Sequence, residues 1–188
     1  MIVWLNGAFG VGKSTLATGL RKALDGAVIA DPEGVGSLLQ EALDGHKRHT
    51  GDYQDHPPWR HLTLAFITNL ANYTGGPVIV PMTVLDPRHA TDLFTPLRRR
   101  DPGFHHLVLH AGPDALRQRI AESDDFPGEA VRAFRQRRAA DYQAAADSWM
   151  HAQGHVINTS ALTAGQTLQA ALAHLHTTDP TAQEDPHP

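Results

Sequence analysis

Cysteine is absent from the 188 residues of this chain, and its absence excludes disulfides and thiolate metal ligands. Long apolar runs are missing too, since no stretch approaches the roughly 20 residues that a membrane-spanning helix needs. The N-terminus has no basic region ahead of its apolar residues, so a signal peptide is not expected. These absences are typical of a cytoplasmic protein without stable membrane insertion.

Positive charge is scarce and comes mostly from arginine. The net charge is -4, which does not favour binding to nucleic acid. Sixteen positions are lysine or arginine. Lysine occupies only Lys13, Lys22 and Lys47.

Histidine is frequent, with thirteen in the chain, but its spacing does not predict a zinc site. His106 and His110 lie along a predicted strand, while His151 and His155 flank Gly154. Neither pair is therefore expected to share a helix face, and the zinc-protease motif H-E-x-x-H is absent.

An apolar strand followed by a glycine-rich loop dominates the beginning of the chain. Residues 2–5 are too short an apolar run for a helix, and residues 7–14, GAFGVGKS, match the P-loop pattern G-x-x-x-x-G-K-[ST]. Its glycines let successive N–H groups point inward as an anion nest, next to the positive end of a helix. The predicted nucleotide-binding residues are Gly7, Ala8, Phe9, Gly10, Val11, Gly12, Lys13, Ser14 and Thr15.

Two of these residues have specific chemistry in P-loops. Lys13 offers a cation to the β- and γ-phosphates, and Ser14 offers a hydroxyl to Mg²⁺. The predicted cofactors are therefore ATP and Mg²⁺, with Ser14 as the metal ligand.

Strands and helices alternate about five times along the chain. Short apolar runs predict strands near residues 2–5, 27–30, 77–85, 104–109 and 155–158. The pattern predicts one α/β domain over 1–176, a three-layer nucleotide-kinase-like fold with a five-stranded parallel sheet and helices on both faces. Residues 44–58 are predicted to be a mobile loop, and the polar tail 177–188 to be disordered. Ligands bind such sheets at the carboxyl ends of the strands.

Elimination narrows the class of P-loop protein. ABC-type and motor ATPases need an acidic residue after an apolar strand, but the run 78–80 is followed by Pro81, Met82 and Thr83. GTPases need an N-K-x-D motif, which is absent. Small-molecule kinases remain, and these use lid arginines and an acid after the second strand.

Asp31 fits that acid, because it follows the second predicted strand about 20 residues beyond the P-loop. Its carboxylate could accept a proton from a substrate hydroxyl or hold a water on Mg²⁺. The alternative is a helix N-cap ahead of Pro32.

Arginines cluster where a lid is expected, over about 117–138. Arg119 is the strongest single candidate there. Arg138 occupies an apolar slot of its predicted helix, and an inward-facing arginine needs an anion unless it reaches solvent. A solvated basic helix face is the alternative. Ser160 follows the last strand, where it is predicted to lie beside the nucleotide base.

The segment 52–60 mixes acids, an amide, aromatics and an arginine, which suits a polar ligand with an apolar part. The alternative is an ordinary surface loop with Trp59 as a core anchor. The predicted substrate-binding residues are Asp31, Glu33, Asp52, Gln54, Trp59, Arg60 and Met82.

Four motifs together resemble the tunicamycin-resistance family of ATP-binding P-loop proteins. They are N-G-A-F-G-x-G-K-[ST], Asp31-Pro32-Glu33, Trp59-Arg60 and Val80-Pro81-Met82-Thr83. The resemblance runs from Met1 to about Glu122. It implies the fold of nucleotide and shikimate-type kinases and protection against tunicamycin, a nucleoside antibiotic with sugars and an acyl chain. Some family members associate with membranes through C-terminal sequence, whereas this chain ends in a short polar tail.

The combined expectation is an ATP-dependent phosphotransferase acting on a small hydroxyl-bearing molecule such as a nucleoside antibiotic. Its predicted catalytic residues are Lys13, Asp31, Arg119 and Arg138. A protein that sequesters the drug without phosphorylating it, and a housekeeping nucleotide or sugar kinase, are the alternatives. The oligomeric state stays open, with a homodimer among the options.

Overall fold

A five-stranded parallel sheet forms the centre of the computed structural model, which describes residues 1–122 and 138–177. The order across the sheet is β2-β3-β1-β4-β5. The strands are β1 Ile2–Gly7, β2 Val28–Ile29, β3 Val78–Pro81, β4 Phe104–His110 and β5 His155–Asn158. The predicted parallel α/β architecture is confirmed.

Helices connect the successive strands. They are α1 Lys13–Ala23, α2 Pro32–Ala42, α3 Pro57–Thr74, α4 Pro87–Arg100, α5 Pro113–Glu122, α6 (described from residue 138 and reaching Gln153 through a π-turn over Ala146–Met150) and α7 Ala164–Thr177. Adjacent residues of β4 show that both sheet faces are covered. The His105 ring contacts His174 of α7, whereas the His106 ring contacts Phe94 of α4.

Short sequence signals fix the ends of these helices and strands. Asp86 accepts a hydrogen bond from Arg88 N at 2.7 Å and caps α4. Thr163 and Gln166 form a reciprocal capping box ahead of α7, through bonds of 2.9 and 3.2 Å. Pro81 ends β3, because proline cannot donate to a sheet ladder.

The prediction of a mobile loop over 44–58 needs correction in its second half. A 3₁₀ turn spans Tyr53–Asp55, and the Gln54 and His56 side chains are buried. Polar side chains can be buried there because they find backbone partners: Gln54 Nε2 donates to Thr83 O at 2.9 Å.

Two further predictions lie outside the described residues. They concern the part of the predicted lid within 123–137 and the tail beyond Thr177. Within the described residues, no helix is both long and apolar enough to cross a membrane.

Buried His106 makes folding stability depend on pH. Its ring lies between β4, α4 and α6, with Nδ1 3.3 Å from Gln153 O and Nε2 3.3 Å from Asn6 Nδ2. Burial lowers the pKa of the imidazole from 6.5 to about 4. The unfolded chain therefore binds this proton more tightly than the folded chain does.

We expect stability to be fully present above the unfolded pKa and to fall as the pH drops towards the folded value. The contribution of His106 amounts to roughly 3 kcal/mol. Urea unfolding from about pH 7 to about pH 4 measures it, and His106→Phe should flatten the dependence. His176→Gln, at an exposed histidine near the end of α7, is the control. An equally steep dependence in His106→Phe would contradict the assignment.

Candidate functional site

The loop between β1 and α1 adopts the backbone conformation that an anion nest requires. Gly7, Gly10 and Gly12 have φ values of 142°, 76° and 101°, a region that side chains with a Cβ rarely adopt. Gly12 caps α1 and contributes no side-chain bond to the helix N-terminus. The first N–H groups of α1 therefore point towards an anion site, where the helix dipole favours negative charge.

Lys13 lies folded over this loop. Its Nζ donates to Gly7 O at 3.1 Å and to Ala8 O at 2.8 Å, and it lies 5.6 Å from the centre of the Phe9 ring. These contacts hold the ammonium group at the loop that would receive the phosphates.

Ser14 is exposed in the first turn of α1, where its hydroxyl is available to a cation beside the loop. Within the described residues, no group of three or more His, Cys, Asp or Glu side chains could hold a metal by itself. This set of donors fits Mg²⁺ brought in by a nucleotide, because Mg²⁺ takes few protein ligands and several phosphate and water oxygens.

A cavity of about 240 Å³ adjoins the P-loop on the side of β5. Its lining includes Gly10, Gly12, Thr15, Arg119, Thr159 and Leu162. Arg119 is fixed there, because Nη1 donates to Thr159 Oγ1 at 3.1 Å and Nη2 donates to Thr159 O at 2.6 Å. The structure thus brings the predicted arginine of α5 and the loop after β5 to the P-loop.

Within that loop the two adjacent hydroxyl residues have different environments. The Ser160 hydroxyl accepts from Gly112 N at 3.0 Å, while Thr159 lines the cavity. Sequence reasoning selected Ser160 and missed Thr159. Nothing in the sequence distinguishes which of the two hydroxyl groups after β5 turns towards the cavity.

Three carboxylates, from the segments after β2 and α2, act on the phenol of Tyr53. Burial raises the pKa of Tyr53 well above its usual range, and the negative charges of Glu33, Asp52 and Asp31 raise it further, against an opposing effect of Arg138. The predicted residues Asp31, Glu33 and Asp52 therefore lie close together at the carboxyl edge of the sheet.

Glycine at position 36 allows this arrangement. A Cβ added to Gly36 would come within 2.6 Å of Tyr53 Cγ, so the Tyr53 ring lies directly against the α2 backbone.

Asp31 has the capping role that was the alternative interpretation. Its Oδ1 accepts from Glu33 N at 2.9 Å, and the residue is exposed. A cap that uses one oxygen of an exposed carboxylate does not prevent the same group from binding a ligand.

Arg138 approaches the carboxylates from α6. The guanidinium group lies 3.5 Å from Asp52 Oδ2 and 3.5 Å from Asp141 Oδ2, and the side chain is 25% exposed. Its Nε is buried without a hydrogen-bond partner. Arg138 thus turns inward, and its ion pairs are long enough for a ligand anion to compete with them.

Two predicted substrate-binding residues need correction, because their side chains lie inside the core. Trp59 is fully buried and donates from Nε1 to Pro32 O at 3.1 Å, which anchors the start of α2. Met82 is also buried, and its carbonyl accepts from Trp4 Nε1 at 2.9 Å. The side chains of Trp59 and Met82 pack in the hydrophobic core and are not exposed to a ligand.

Arg60 and Gln54 connect the segment 52–60 to α4 and to the residues after β3. Arg60 pairs with Asp92 at 3.0 Å and donates from Nη1 to Gln54 O at 2.6 Å. Gln54 donates to Thr83 O, and Thr83 Oγ1 in turn donates to Gly7 O at 2.8 Å. The side chains of Gln54 and Thr83 therefore connect the segment that contains Asp52 to the P-loop.

The chain is similar to several known structures, and the likeness is strongest in fold. A structure of the Deinococcus radiodurans tunicamycin resistance protein matches with a TM-score of 0.68 and 28% identity, over 94% of this chain and 93% of that one. The resemblance to tunicamycin-resistance proteins is thereby confirmed.

Two kinases share the fold at lower identity. A sugar kinase from Janibacter sp. HTCC2649 matches with a TM-score of 0.63 and 17% identity over 98% of each chain. A gluconokinase from Sinorhizobium meliloti 1021 matches with a TM-score of 0.59 and 17% identity, over 93% of this chain and 91% of that one. The P-loop kinase-like fold is confirmed by these likenesses.

Sequence comparison gives the family. No curated protein is similar in sequence to this chain. The AAA domain family matches residues 2–145, which include the P-loop, both carboxylate segments and Arg119. The chain, with its P-loop and kinase-like sheet, belongs to the AAA domain family.

Proposed function

We propose that this protein is an ATP- and Mg²⁺-dependent phosphotransferase that inactivates tunicamycin or a similar nucleoside compound. The observation that carries the proposal is that Asp31, Glu33 and Asp52 lie near Tyr53, while Gln54 and Thr83 link this segment to Gly7 of the P-loop. The kind of acceptor follows from the charge of that group and from the likeness to a tunicamycin resistance protein.

The spacing of the strands suits phosphoryl transfer. Strand β2 lies two positions from β1 in the sheet, so the two strands are about 10 Å apart, and Asp31 follows the end of β2. A terminal phosphate and an acceptor hydroxyl can occupy that distance together.

The charges favour an uncharged acceptor over a phosphorylated one. Carboxylates accept hydrogen bonds from hydroxyl groups, but they repel a phosphate. Among the nearby cations, Arg60 is already paired with Asp92, and Arg138, which lies 3.5 Å from Asp52, is assigned to the transferring phosphoryl group. A polyhydroxyl acceptor therefore fits better than a nucleoside monophosphate, which argues against a housekeeping nucleotide kinase.

Each group then has a role in the transfer. Lys13 and the P-loop N–H groups bind the β- and γ-phosphates, and Ser14 offers its hydroxyl to Mg²⁺. Bound Mg²⁺ supplies positive charge that neutralises phosphate oxygens. Arg119 and Arg138 add positive charge beside the transferring group.

Asp31 takes the proton of the acceptor hydroxyl while the oxygen of that hydroxyl attacks the γ-phosphorus. The bond between that phosphorus and the β–γ bridging oxygen breaks, and ADP leaves with the bond's electron pair. The acceptor keeps the phosphoryl group.

A second candidate function is ATP-dependent capture of the drug without transfer. Thr83 favours capture without transfer. In other P-loop classes an acidic residue after this strand holds Mg²⁺, whereas here a threonine follows β3. Mass spectrometry of tunicamycin after incubation with ATP and Mg²⁺ separates the two. A drug heavier by one phosphoryl group, with one ADP formed per product, supports transfer. Unmodified drug that copurifies with the ATP-bound protein would replace the proposal by capture.

Replacement of Arg119 tests the nucleotide cavity. We expect Arg119→Lys to weaken binding of a non-hydrolysable ATP analogue by roughly tenfold, because lysine cannot keep both bonds to Thr159 and also reach a phosphate. Calorimetry measures the affinity. Arg117→Lys is the matched control, since Arg117 lies on the same helix, is exposed and pairs with Asp114. Equal affinities in the two variants would remove Arg119 from the nucleotide site.

A further inference from the structure

Helix α3 has two apolar faces, and only one of them faces the core. Trp59 and Ile67 are fully buried against the sheet. On the outer side Leu62, Phe66 and Tyr73 are 44%, 39% and 90% exposed. A helix that is apolar on both sides is normally covered on both sides.

Helix α2 extends this outer surface. Leu38 is 63% exposed. Leu38 and the three α3 residues are all of the large hydrophobic residues that are exposed in the described part of the chain. The α2–α3 face, defined here as Leu38, Leu62, Phe66, Asn69 and Tyr73, borders an open groove of about 650 Å³ between the two helices. Val35 and Leu70 form part of the groove lining. Four exposed apolar side chains gathered on one surface are typical of an interaction site.

The absence of charge over residues 62–74 of α3 restricts what can cover the face. Residues 62–74, LTLAFITNLANYT, contain no Asp, Glu, Lys or Arg. In a symmetric dimer each charge near the axis meets its own kind, which costs free energy, so a neutral surface is suited to self-association. A helix that lies on a membrane carries Lys and Arg beside its apolar face, and residues 62–74 carry none.

The spacing along α3 also matches a second copy of itself. Residues 62, 66, 69 and 73 follow steps of four, three and four, which place them on one side of the helix. In an antiparallel pair related by a two-fold axis, Leu62 of one copy lies opposite Tyr73 of the other. Phe66 then lies opposite Asn69. Each of these four residues in one copy therefore lies opposite one of the same four residues in the other copy.

From these observations we propose that the α2–α3 face is the interface of a homodimer, in which the α3 helices of two copies pack antiparallel and each Phe66 enters the groove of the partner copy. Asp31 and Glu33 lie at the N-terminal end of α2, and Leu38 lies about two turns further along the helix. The proposal is independent of the proposed phosphotransferase activity.

Sedimentation velocity over a hundredfold range of protein concentration tests the proposal with the full chain. We expect a dimer for the unaltered protein. Phe66→Glu and Leu38→Glu should each raise the dimer dissociation constant by about tenfold or more, because symmetry buries two carboxylates per substitution. Both replaced residues are exposed in the single chain, and circular dichroism at the same temperature checks that each variant is folded.

Gln169→Glu is the matched control, since it adds the same charge at an exposed position of α7 and should leave the dimer intact. A monomer at every concentration overturns the proposal. A dimer that both substitutions leave unchanged overturns it as well. Monomeric protein that binds phosphatidylcholine vesicles, and loses this binding in Phe66→Glu, would assign the face to a membrane and also overturn it.

Discussion

Lys13→Ala is expected to weaken ATP binding by about a hundredfold or more while the protein stays folded, because a charged hydrogen-bond donor to the phosphates is lost. The folded-state contacts of Lys13 include Gly7 O and Ala8 O, which belong to the loop itself. The sheet and its core do not depend on them. Calorimetry with ATP and thermal unfolding of the same sample measure the two effects separately.

Lys22→Ala is the control for this experiment. Lys22 lies at the end of the same helix and is exposed, so its loss changes the net charge equally without touching the P-loop. Unchanged ATP affinity in folded Lys13→Ala would remove the nucleotide site on which the proposed function depends.

Asp31→Asn should abolish resistance to tunicamycin with little change in ATP affinity or melting temperature. Loss of a general base typically lowers the rate by about 10²- to 10⁴-fold. Asparagine caps a helix as well as aspartate does, so the bond to Glu33 N and the start of α2 are preserved. Growth of cells with tunicamycin, calorimetry with ATP and thermal unfolding together measure the three quantities.

Asp86→Asn provides a matched comparison, because Asp86 also precedes a proline and caps its helix through the N–H two residues on. Asp86→Asn therefore shows the effect of an aspartate-to-asparagine change at a helix cap that lies outside the group of Asp31, Glu33 and Asp52. If both variants keep full resistance, Asp31 is only a cap. The base would then be Glu33, Asp52 or none of these residues. Lost resistance in Asp31→Asn alone places the charge at the acceptor, and the mass-spectrometric test decides whether it acts in transfer or in capture.

The fold was predictable because its signals are local. Asp86-Pro87, Pro81 and the pair Thr163 and Gln166 each fix an element boundary through contacts within a few residues. The apolar run of β1 follows from burial on both faces of a parallel sheet. Such signals need no knowledge of distant parts of the chain.

The interior of the site was less predictable because its contacts are distant in sequence. Gln54 and Thr83 are 29 residues apart, and Thr83 and Gly7 are 76 apart. Their bonds join side chains to backbone oxygens, which every residue carries, so no residue pattern marks the partner. Trp59 shows the same limit, since a tryptophan at the start of a helix suits a ligand wall and a core anchor equally well.

The sheet order has a consequence for how the protein is made. Ile2 of the central strand pairs with Val78 and with Phe104, so β1 is synthesised long before either neighbour exists. One edge of β1 stays unpaired on the growing chain until β4 has left the ribosome, and closing such long loops is slow. We expect chains that stop short of β4 to aggregate or to occupy chaperones, whereas chains that extend beyond it can complete both sides of the central strand at once.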